Sequence, residues 1–139
     1  MKIFVYYIGK RRDANANAIA ADYVCRISRY ASCEMREIQP AKFDPWDRHP
    51  SAYIFLLDVA GKALDSIQFS RLVQRTEGEA RDLVFVIGGH DGLPEAWKSR
   101  PATLISLSAF TFPHELARAM LAEQIYRAFT ILRGHPYPR

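Results

Sequence analysis

Three candidate binding loops stand where apolar runs end in small or polar residues: Leu57-Asp58, Gly88-Gly89 and Leu107-Ser108. In open sheets of parallel strands, ligands lie beyond the carboxyl ends of the strands. A glycine lets the main chain approach a ligand where a Cβ atom would collide. Peptide N–H and C=O groups exposed in this way can read the edge of an adenine. The three loops therefore predict a site for a flat cofactor, formed mainly by backbone.

The same loops do not have the pattern of a phosphate-binding loop. Neither Gly-x-Gly-x-x-Gly nor a Walker sequence ending in Lys-Ser/Thr is present. A cofactor that carries adenine but no phosphates fits better, and S-adenosylmethionine is the obvious one. The alternative for Gly88-Gly89 is a plain tight turn without a ligand.

The elements that must position these loops alternate between strand and helix. Apolar runs typical of strands buried on both faces are found at Lys2–Ile8, Tyr53–Leu57, Leu83–Ile87 and Thr103–Leu107, and Glu34–Ile38 is predicted as a further short strand. Helical patterns cover Ala14–Tyr30 after a capping Asp13, Leu64–Glu79, a short segment around Pro94–Lys98, and Pro113–Leu132. This order predicts one α/β domain, residues 1–139, with a mostly parallel sheet.

Finer expectations concern the ends and faces of these elements. Asp58 and a turn at Gly61 should end the strand that begins at Tyr53, and Ile67, Leu72 and Val73 should face inward. The prolines between positions 40 and 50 exclude a regular helix there. Thr111 should cap the last helix, with Pro113 in its first turn.

The last helix carries apolar residues over roughly 220° of its circumference, wider than the usual surface helix. The extra arc suggests a second subunit, and the alternative is a helix wedged within one large core.

Composition limits the remaining possibilities. The chain has 139 residues, a net charge of +4, and arginine as most of its 19 basic residues. This excess is compatible with nucleic acid but does not demand it. Cys25 and Cys33 are expected to be buried free thiols, which favours a reducing compartment. No leader, membrane span or metal-ligand spacing is seen, so we expect a soluble, cytoplasmic protein without a metal.

Several motifs together resemble the ribosomal RNA large subunit methyltransferase H family of the SPOUT superfamily, over the whole chain. The motifs are Leu57-Asp58-x-x-Gly61-Lys62, Phe85-Val86-Ile87-Gly88-Gly89-x-Asp91-Gly92-Leu93, Ser106-Leu107-Ser108-x-x-Thr111-x-Pro113-His114, Glu123-Gln124-Ile125-Tyr126-Arg127-Ala128 and His135-Pro136-Tyr137. The resemblance implies a parallel α/β sheet with a C-terminal trefoil knot, and a homodimer. It also implies methylation of N3 of a pseudouridine in 23S rRNA, with S-adenosylmethionine as donor.

By position, the resemblance places cofactor contacts at Leu57, Gly89 and the loop of Ser108, Ala109, Phe110, Thr111, Phe112 and Pro113. It places the catalytic, substrate-facing residues at Tyr137 and Arg139, which without the resemblance would be interpreted as a frayed chain end. The sequence departs from the family at two points. Pro138 stands where the family has a histidine, and the segment at positions 39–52 is shorter and rich in proline.

The loss of that histidine bears on how the N3 proton is removed. Arg139, the terminal carboxylate and His135 are the candidates, and we favour Arg139, whose charge would make N3 more acidic without a dedicated base. Two other functions remain open. One is a ribosome-binding or assembly module without catalysis, and the other is a knotted methyltransferase that acts on a different RNA.

Overall fold

A computed structural model describes residues 1–137 and contains a five-stranded sheet in which every strand pair is parallel. The order across the sheet is β2-β1-β4-β3-β5. The strands are β1 (Lys2–Ile8), β2 (Ser32–Ile38), β3 (Tyr53–Ala63), β4 (Leu83–Ile87) and β5 (Thr103–Ser106). The α/β fold with a mostly parallel sheet is therefore confirmed.

Within residues 1–137, three α-helices and one 3₁₀ helix connect the strands, and a fourth α-helix follows β5. They are α1 (Ala14–Ile27), α2 (Pro45–Arg48), α3 (Ser66–Gly78), the 3₁₀ helix Glu95–Ser99 and α4 (His114–Arg133). The longest, α4, packs against both α1 and α3. This packing places Tyr137, the last described residue, beside α1, where its hydroxyl lies 3.1 Å from that of Tyr23.

Alternation along the strands divides the interior into two cores, because successive side chains of a strand point to opposite faces. In β4, Leu83 and Phe85 face the core that α1, α3 and α4 cover, whereas Val84 and Val86 face the other. The second face has a thinner cover. It consists of the 3₁₀ helix and the proline-rich segment, through residues such as Phe43 and Trp97.

The proline-rich segment was expected to contain no regular helix, and it holds a single helical turn. Pro45 occupies the first position of α2, where its missing N–H costs nothing. The Asp44 carboxylate accepts hydrogen bonds from the main-chain N–H groups of Trp46 and Asp47, at 2.9 and 3.2 Å. A cap and a well-placed proline are sufficient for a single turn.

Several predicted boundaries were wrong by a few residues, and β3 by more. Helix α1 ends at Ile27 rather than Tyr30, and β2 begins at Ser32 rather than Glu34. Strand β3 does not end at Asp58 but continues to Ala63 after a register shift between Leu57 and Lys62. The irregularity absorbs the polar residue and the glycine that were expected to end the strand.

Three side chains lie elsewhere than predicted. Ile67 is 48% exposed instead of facing the core, and Cys25 is exposed rather than buried. Cys33 packs against the core, and burial raises the pKa of its thiol to about 12. Thr111 does not cap α4, because the helix begins only at His114 and the preceding Pro113 adopts an extended conformation.

Two further predictions relate to features beyond strand order. Within residues 1–137, none of the helices combines the length and the apolar character needed to cross a bilayer. The C-terminal trefoil knot stays a prediction, since strand order and register do not by themselves define whether a chain passes through a loop.

Candidate functional site

A cavity of about 540 Å³ lies at the carboxyl edge of the sheet, beside the ends of β4 and β5 and the irregularity of β3 after Leu57. Small-molecule sites usually enclose roughly 300–1,000 Å³, so a nucleoside-sized ligand fits here. The three predicted strand ends all contribute to its wall. Seven of the eight residues predicted to contact a cofactor also line it: Leu57, Gly89, Ser108, Phe110, Thr111, Phe112 and Pro113.

At the irregularity of β3 that follows Leu57, the Asp58 carboxylate is fixed from two directions. It accepts a hydrogen bond from the N–H of Ala60 at 2.8 Å and pairs with the ammonium of Lys98 at 3.1 Å. The hydrogen bond from Ala60, followed by that from Lys98, lowers the pKa of Asp58. Both Asp58 and Lys98 line the cavity, so one wall carries a closed ion pair.

At the end of β4, the glycines are required by the packing of the chain itself. A Cβ atom on Gly89 would lie 2.6 Å from the carbonyl oxygen of Ile8, and one on Gly88 would lie 2.5 Å from the backbone of Gly92. The N–H of Gly92 donates to the carbonyl of Gly89 at 3.0 Å and closes a tight turn. The backbone after Gly88 and Gly89 is therefore a tight turn, as the alternative interpretation predicted. This turn lines the cavity with main-chain atoms.

At the end of β5, hydroxyl groups hold the loop that forms the opposite wall. Ser106 donates to the carbonyl of Ser108 at 2.9 Å, and the N–H of Phe110 donates to the Ser108 hydroxyl at 2.9 Å. Ala109 lies within this loop but outside the cavity lining, and its contact with a cofactor stays a prediction. Phe110 is 79% exposed, which is unusual for an aromatic side chain beside a cavity.

Tyr137 is not among the residues that line this cavity. Its hydroxyl donates to the Glu123 carboxylate at 2.6 Å and lies 3.1 Å from the hydroxyl of Tyr23. Burial, followed by the hydrogen bond to Glu123, raises the pKa of Tyr137 above its ordinary range. Arg127 pairs with the same Glu123 at 2.6 Å, which occupies the side chain within its own helix. Pro138 and Arg139 lie outside the described residues.

A charged cluster that the sequence did not reveal joins the start of α4 to the loop after β1. Arg118 is fully buried, and its Nη2 donates weakly to the carbonyls of Ile8 and Gly9, at 3.4 and 3.3 Å. Its Nε and Nη1 have no hydrogen-bond partner among residues 1–137. The guanidinium lies 3.9 Å from the centre of the Tyr7 ring. The helical period places Arg118 on the buried face of α4, three residues before Leu121 and seven before Ile125, but its charge is typical of a surface residue.

Glu115 completes this cluster as an acceptor for main-chain donors. Its Oε2 accepts from the N–H groups of Arg12 and Asp13 at 2.9 and 3.0 Å, and from the Asn17 amide at 2.7 Å. These hydrogen bonds, that from Arg12 first, lower the pKa of Glu115 to about 2. The loop between β1 and α1 is thus held by the first turn of α4.

The substitution Glu115→Gln is expected to destabilise the protein in a pH-dependent way. The folded-state pKa of about 2 lies below the ordinary value of 4.5, so the charged form contributes stability above pH 4.5. That contribution is lost as pH falls toward 2. Urea unfolding of both proteins from pH 7 to pH 2.5 should show a difference in unfolding free energy that is full above pH 4.5 and narrows below it. A difference that stays constant over this range would contradict the assignment.

In the part of the chain that the structure describes, no group of three or more His, Cys, Asp or Glu side chains is arranged to hold a metal ion. Independence of metal stays a prediction.

Comparisons with known proteins agree with this geometry. The family model described as "Predicted SPOUT methyltransferase" matches residues 1–138. The ribosomal RNA large subunit methyltransferase H of Solibacter usitatus is 60% identical over 139 residues and covers 100% of both chains. The protein of the same name from Sorangium cellulosum is 42% identical over 143 residues, with 99% of each chain covered.

Solved structures support the fold alone, because their identities are low. A probable methylase family protein from Haemophilus influenzae has a TM-score of 0.65 at 9% identity and covers 99% of this chain and 70% of its own. The AdoMet-bound rRNA methyltransferase from Sinorhizobium meliloti has a TM-score of 0.56 at 12% identity, with 94% and 57% covered. The full-length matches in sequence are decisive, and the chain belongs to the SPOUT methyltransferase family, among the ribosomal RNA large subunit methyltransferases H.

Proposed function

We propose that this chain transfers the methyl group of S-adenosylmethionine to N3 of a pseudouridine in 23S rRNA of the large ribosomal subunit. The observation that carries the proposal is the cavity formed by three adjoining strand ends, whose walls combine apolar side chains with main chain. The name shared by the relatives supports the ribosomal RNA substrate. All 139 residues are expected to act as one catalytic domain, with the C-terminal trefoil knot, in the cytoplasm.

The residues of the cavity fit the cofactor. Leu57, Ile87 and Leu107 supply apolar surface for a nucleoside, and the loop from Ser108 to Pro113 supplies the opposite wall. The closed Asp58–Lys98 pair leaves no isolated charge from these two residues in the wall. We assign the cofactor contacts to Leu57, Gly89 and this loop, with Ala109 contributing at most through its main chain. When bound, S-adenosylmethionine supplies an activated methyl group on a sulfonium.

The chain's own contribution is orientation and exclusion of water. The hydroxyl contacts of Ser106 and Ser108 fix the loop that must hold the donor against the sheet. The turn at Gly89, wedged against Ile8, fixes the facing wall. A rigid slot of this kind aligns donor and acceptor and needs no covalent intermediate.

The acceptor nitrogen must lose a proton before it attacks. Tyr137 is unsuited to be the base, because its raised pKa keeps the hydroxyl protonated. That hydroxyl also donates a hydrogen bond to the Glu123 carboxylate. We therefore assign Tyr137 to substrate positioning and Arg139 to stabilisation of the N3 anion, without a dedicated base.

We further propose a homodimer in which the tail of one subunit completes the site of the other. Within its own chain, Tyr137 contacts α1 and α4 rather than the cavity. Leu116 and Met120, one turn apart on α4, are 42% and 37% exposed, and Phe110 lies just before them. These apolar side chains offer a surface that a second copy would cover.

The decisive test is methylation of large ribosomal subunits isolated from a strain that lacks the enzyme. The purified protein with labelled S-adenosylmethionine should modify one pseudouridine, located by mass spectrometry, and Arg139→Ala should lose most of the rate.

Pro138 in the histidine position favours one competing function, a ribosome-binding module without catalysis. That module would bind subunits and give no heat when titrated with S-adenosylmethionine. Methylation at another RNA position would refute the assigned substrate instead.

A further inference from the structure

The loop between β1 and α1 presents a run of three consecutive cations, Lys10, Arg11 and Arg12, and all three are exposed. Within residues 1–137, none of the three side chains takes part in an ion pair. The adjoining Asp13 makes no ion pair with them within the described residues, since its carboxylate accepts from the N–H groups of Asn15 and Ala16 and caps α1. Among residues 1–137 the run is therefore a patch of three cations without an ion-pair partner.

The position of this patch relates it to the cavity. Strand β1 runs parallel to β4, so the loop after β1 emerges at the edge where the cavity opens. The end of β1 packs directly against the Gly89 turn, since a Cβ on Gly89 would lie 2.6 Å from the carbonyl oxygen of Ile8. Gly89 lines the cavity, and the cations follow Ile8 by two to four residues. The patch consequently borders the β4 side of the cavity.

The main chain of the patch is held more firmly than an ordinary surface loop. Glu115 accepts from the N–H groups of Arg12 and Asp13, and Arg118 donates to the carbonyls of Ile8 and Gly9. Glu115 binds backbone donors, so its charge anchors the loop while the side chains of Arg11 and Arg12 stay available. Ordering a loop before binding reduces the entropy lost when a partner docks.

We propose that Lys10, Arg11 and Arg12 form a preorganised phosphate-binding surface that seats the rRNA backbone beside the cavity. Guanidinium groups match phosphate oxygens in a bidentate geometry, and two adjacent arginines can contact successive phosphates. This assignment rests on the proposed function, because only an RNA substrate must bring a phosphate backbone to this edge of the sheet. Glu115 and Arg118 act as positioning residues, since they set the loop without touching the RNA.

The test compares Arg11→Ala/Arg12→Ala with the matched control Arg29→Ala/Arg71→Ala, which also removes two exposed arginines, one after α1 and one on α3. Methylation of large subunits is measured as a function of subunit and salt concentration. For the first variant we expect KM for subunits to rise on the order of tenfold at low salt, with kcat and the affinity for S-adenosylmethionine retained. The slope of log(1/KM) against log[salt] should fall in magnitude by roughly 1.4–1.8, because two phosphates are no longer neutralised. The control should keep the wild-type KM and slope.

Each other result overturns the proposal in a recognisable way. An unchanged KM would show that the cations do not contact the substrate. A raised KM with an unchanged salt slope would mean that the patch contacts a ribosomal protein rather than phosphates. A lowered kcat alone would place the arginines in the chemistry instead of in docking. If neither wild type nor control methylates subunits at all, the proposed function fails, which is a separate outcome.

Discussion

Replacement of Gly89 by valine is expected to abolish detectable cofactor binding and to lower the free energy of unfolding by about 1–3 kcal/mol, the usual cost of overpacking. The new Cβ would lie 2.6 Å from the carbonyl oxygen of Ile8 and 3.1 Å from its carbon. Strand β1 cannot move away, because it is paired with β2 on one side and β4 on the other. The strain must therefore displace the Gly89 turn, which lines the cavity.

Two glycines away from the cavity serve as controls for this experiment. A Cβ on Gly134, after α4, would meet nothing within 4 Å, and its φ of +69° is one that asparagine tolerates, so Gly134→Asn should bind cofactor nearly as the wild type does. Gly78→Ala, in the last turn of α3 with open space around it, should change stability only slightly and in the favourable direction. Urea unfolding and calorimetric titration with S-adenosylmethionine give both quantities. If Gly89→Val is folded and binds with wild-type affinity, the Gly89 turn is not part of the cofactor site.

The strands were predictable because their signals are local. Unbroken apolar segments of four to seven residues are typical of strands covered on both sides, and each of the predicted segments is a strand in the structure. The position of the cavity followed from the same signals, since parallel strands bring their ends to one edge. Local patterns thus carried both the fold class and the location of the site.

The misplaced elements depended on contacts between distant segments. Strand β3 continues past Asp58 because Lys62 and Ala63 pair with Ile105 and Ser106 of β5, which no local pattern encodes. Ile67, by contrast, is exposed for a local reason, because it lies about 160° around α3 from the buried Phe69. The helical period therefore places it on the outer face, and its apolar character alone was a misleading signal.

The charged groups around the site were missed for a related reason. Lys98 is a typical surface lysine in sequence, and only the fold brings it 3.1 Å from Asp58. Arg118 shares the face of α4 that carries Leu121 and Ile125, but its charge is typical of an exposed residue, and it is fully buried. Glu115 accepts three hydrogen bonds from the loop after β1 and the start of α1. Electrostatic partners separated by about a hundred residues are visible only once the topology is known.

The apolar side chains left exposed on α4 carry the argument for a second subunit. The core takes Leu121, Ile125 and Phe129 from this helix, so the wide apolar arc is only partly used inside one chain. Leu116 and Met120 continue the arc onto the surface, and Phe110 of the cavity loop, which precedes α4, is exposed as well. An interface at this place would bring the cavity of one subunit within reach of the partner.

The double variant Leu116→Glu/Met120→Glu is therefore expected to be monomeric and to lose nearly all methylation activity. Burying two unpaired carboxylates in an interface costs several kcal/mol, which raises the dissociation constant by roughly 100-fold or more. The fold itself should survive, because both side chains are already more than one-third exposed in the single chain. Sedimentation at micromolar concentration should give a species of 15.9 kDa for the variant and twice that mass for the wild type.

A matched control separates the interface from the mere addition of charge. Ile67→Glu introduces a carboxylate at a position that is 48% exposed on α3, and this variant should remain dimeric and active. Cofactor binding by the monomeric variant distinguishes the two roles that the partner's tail could have. Weakened binding would mean that the partner's tail completes the cofactor site, whereas retained binding with lost methylation would mean that the tail acts only on the RNA. A wild-type protein that sediments at 15.9 kDa and still methylates subunits would show that one chain is sufficient.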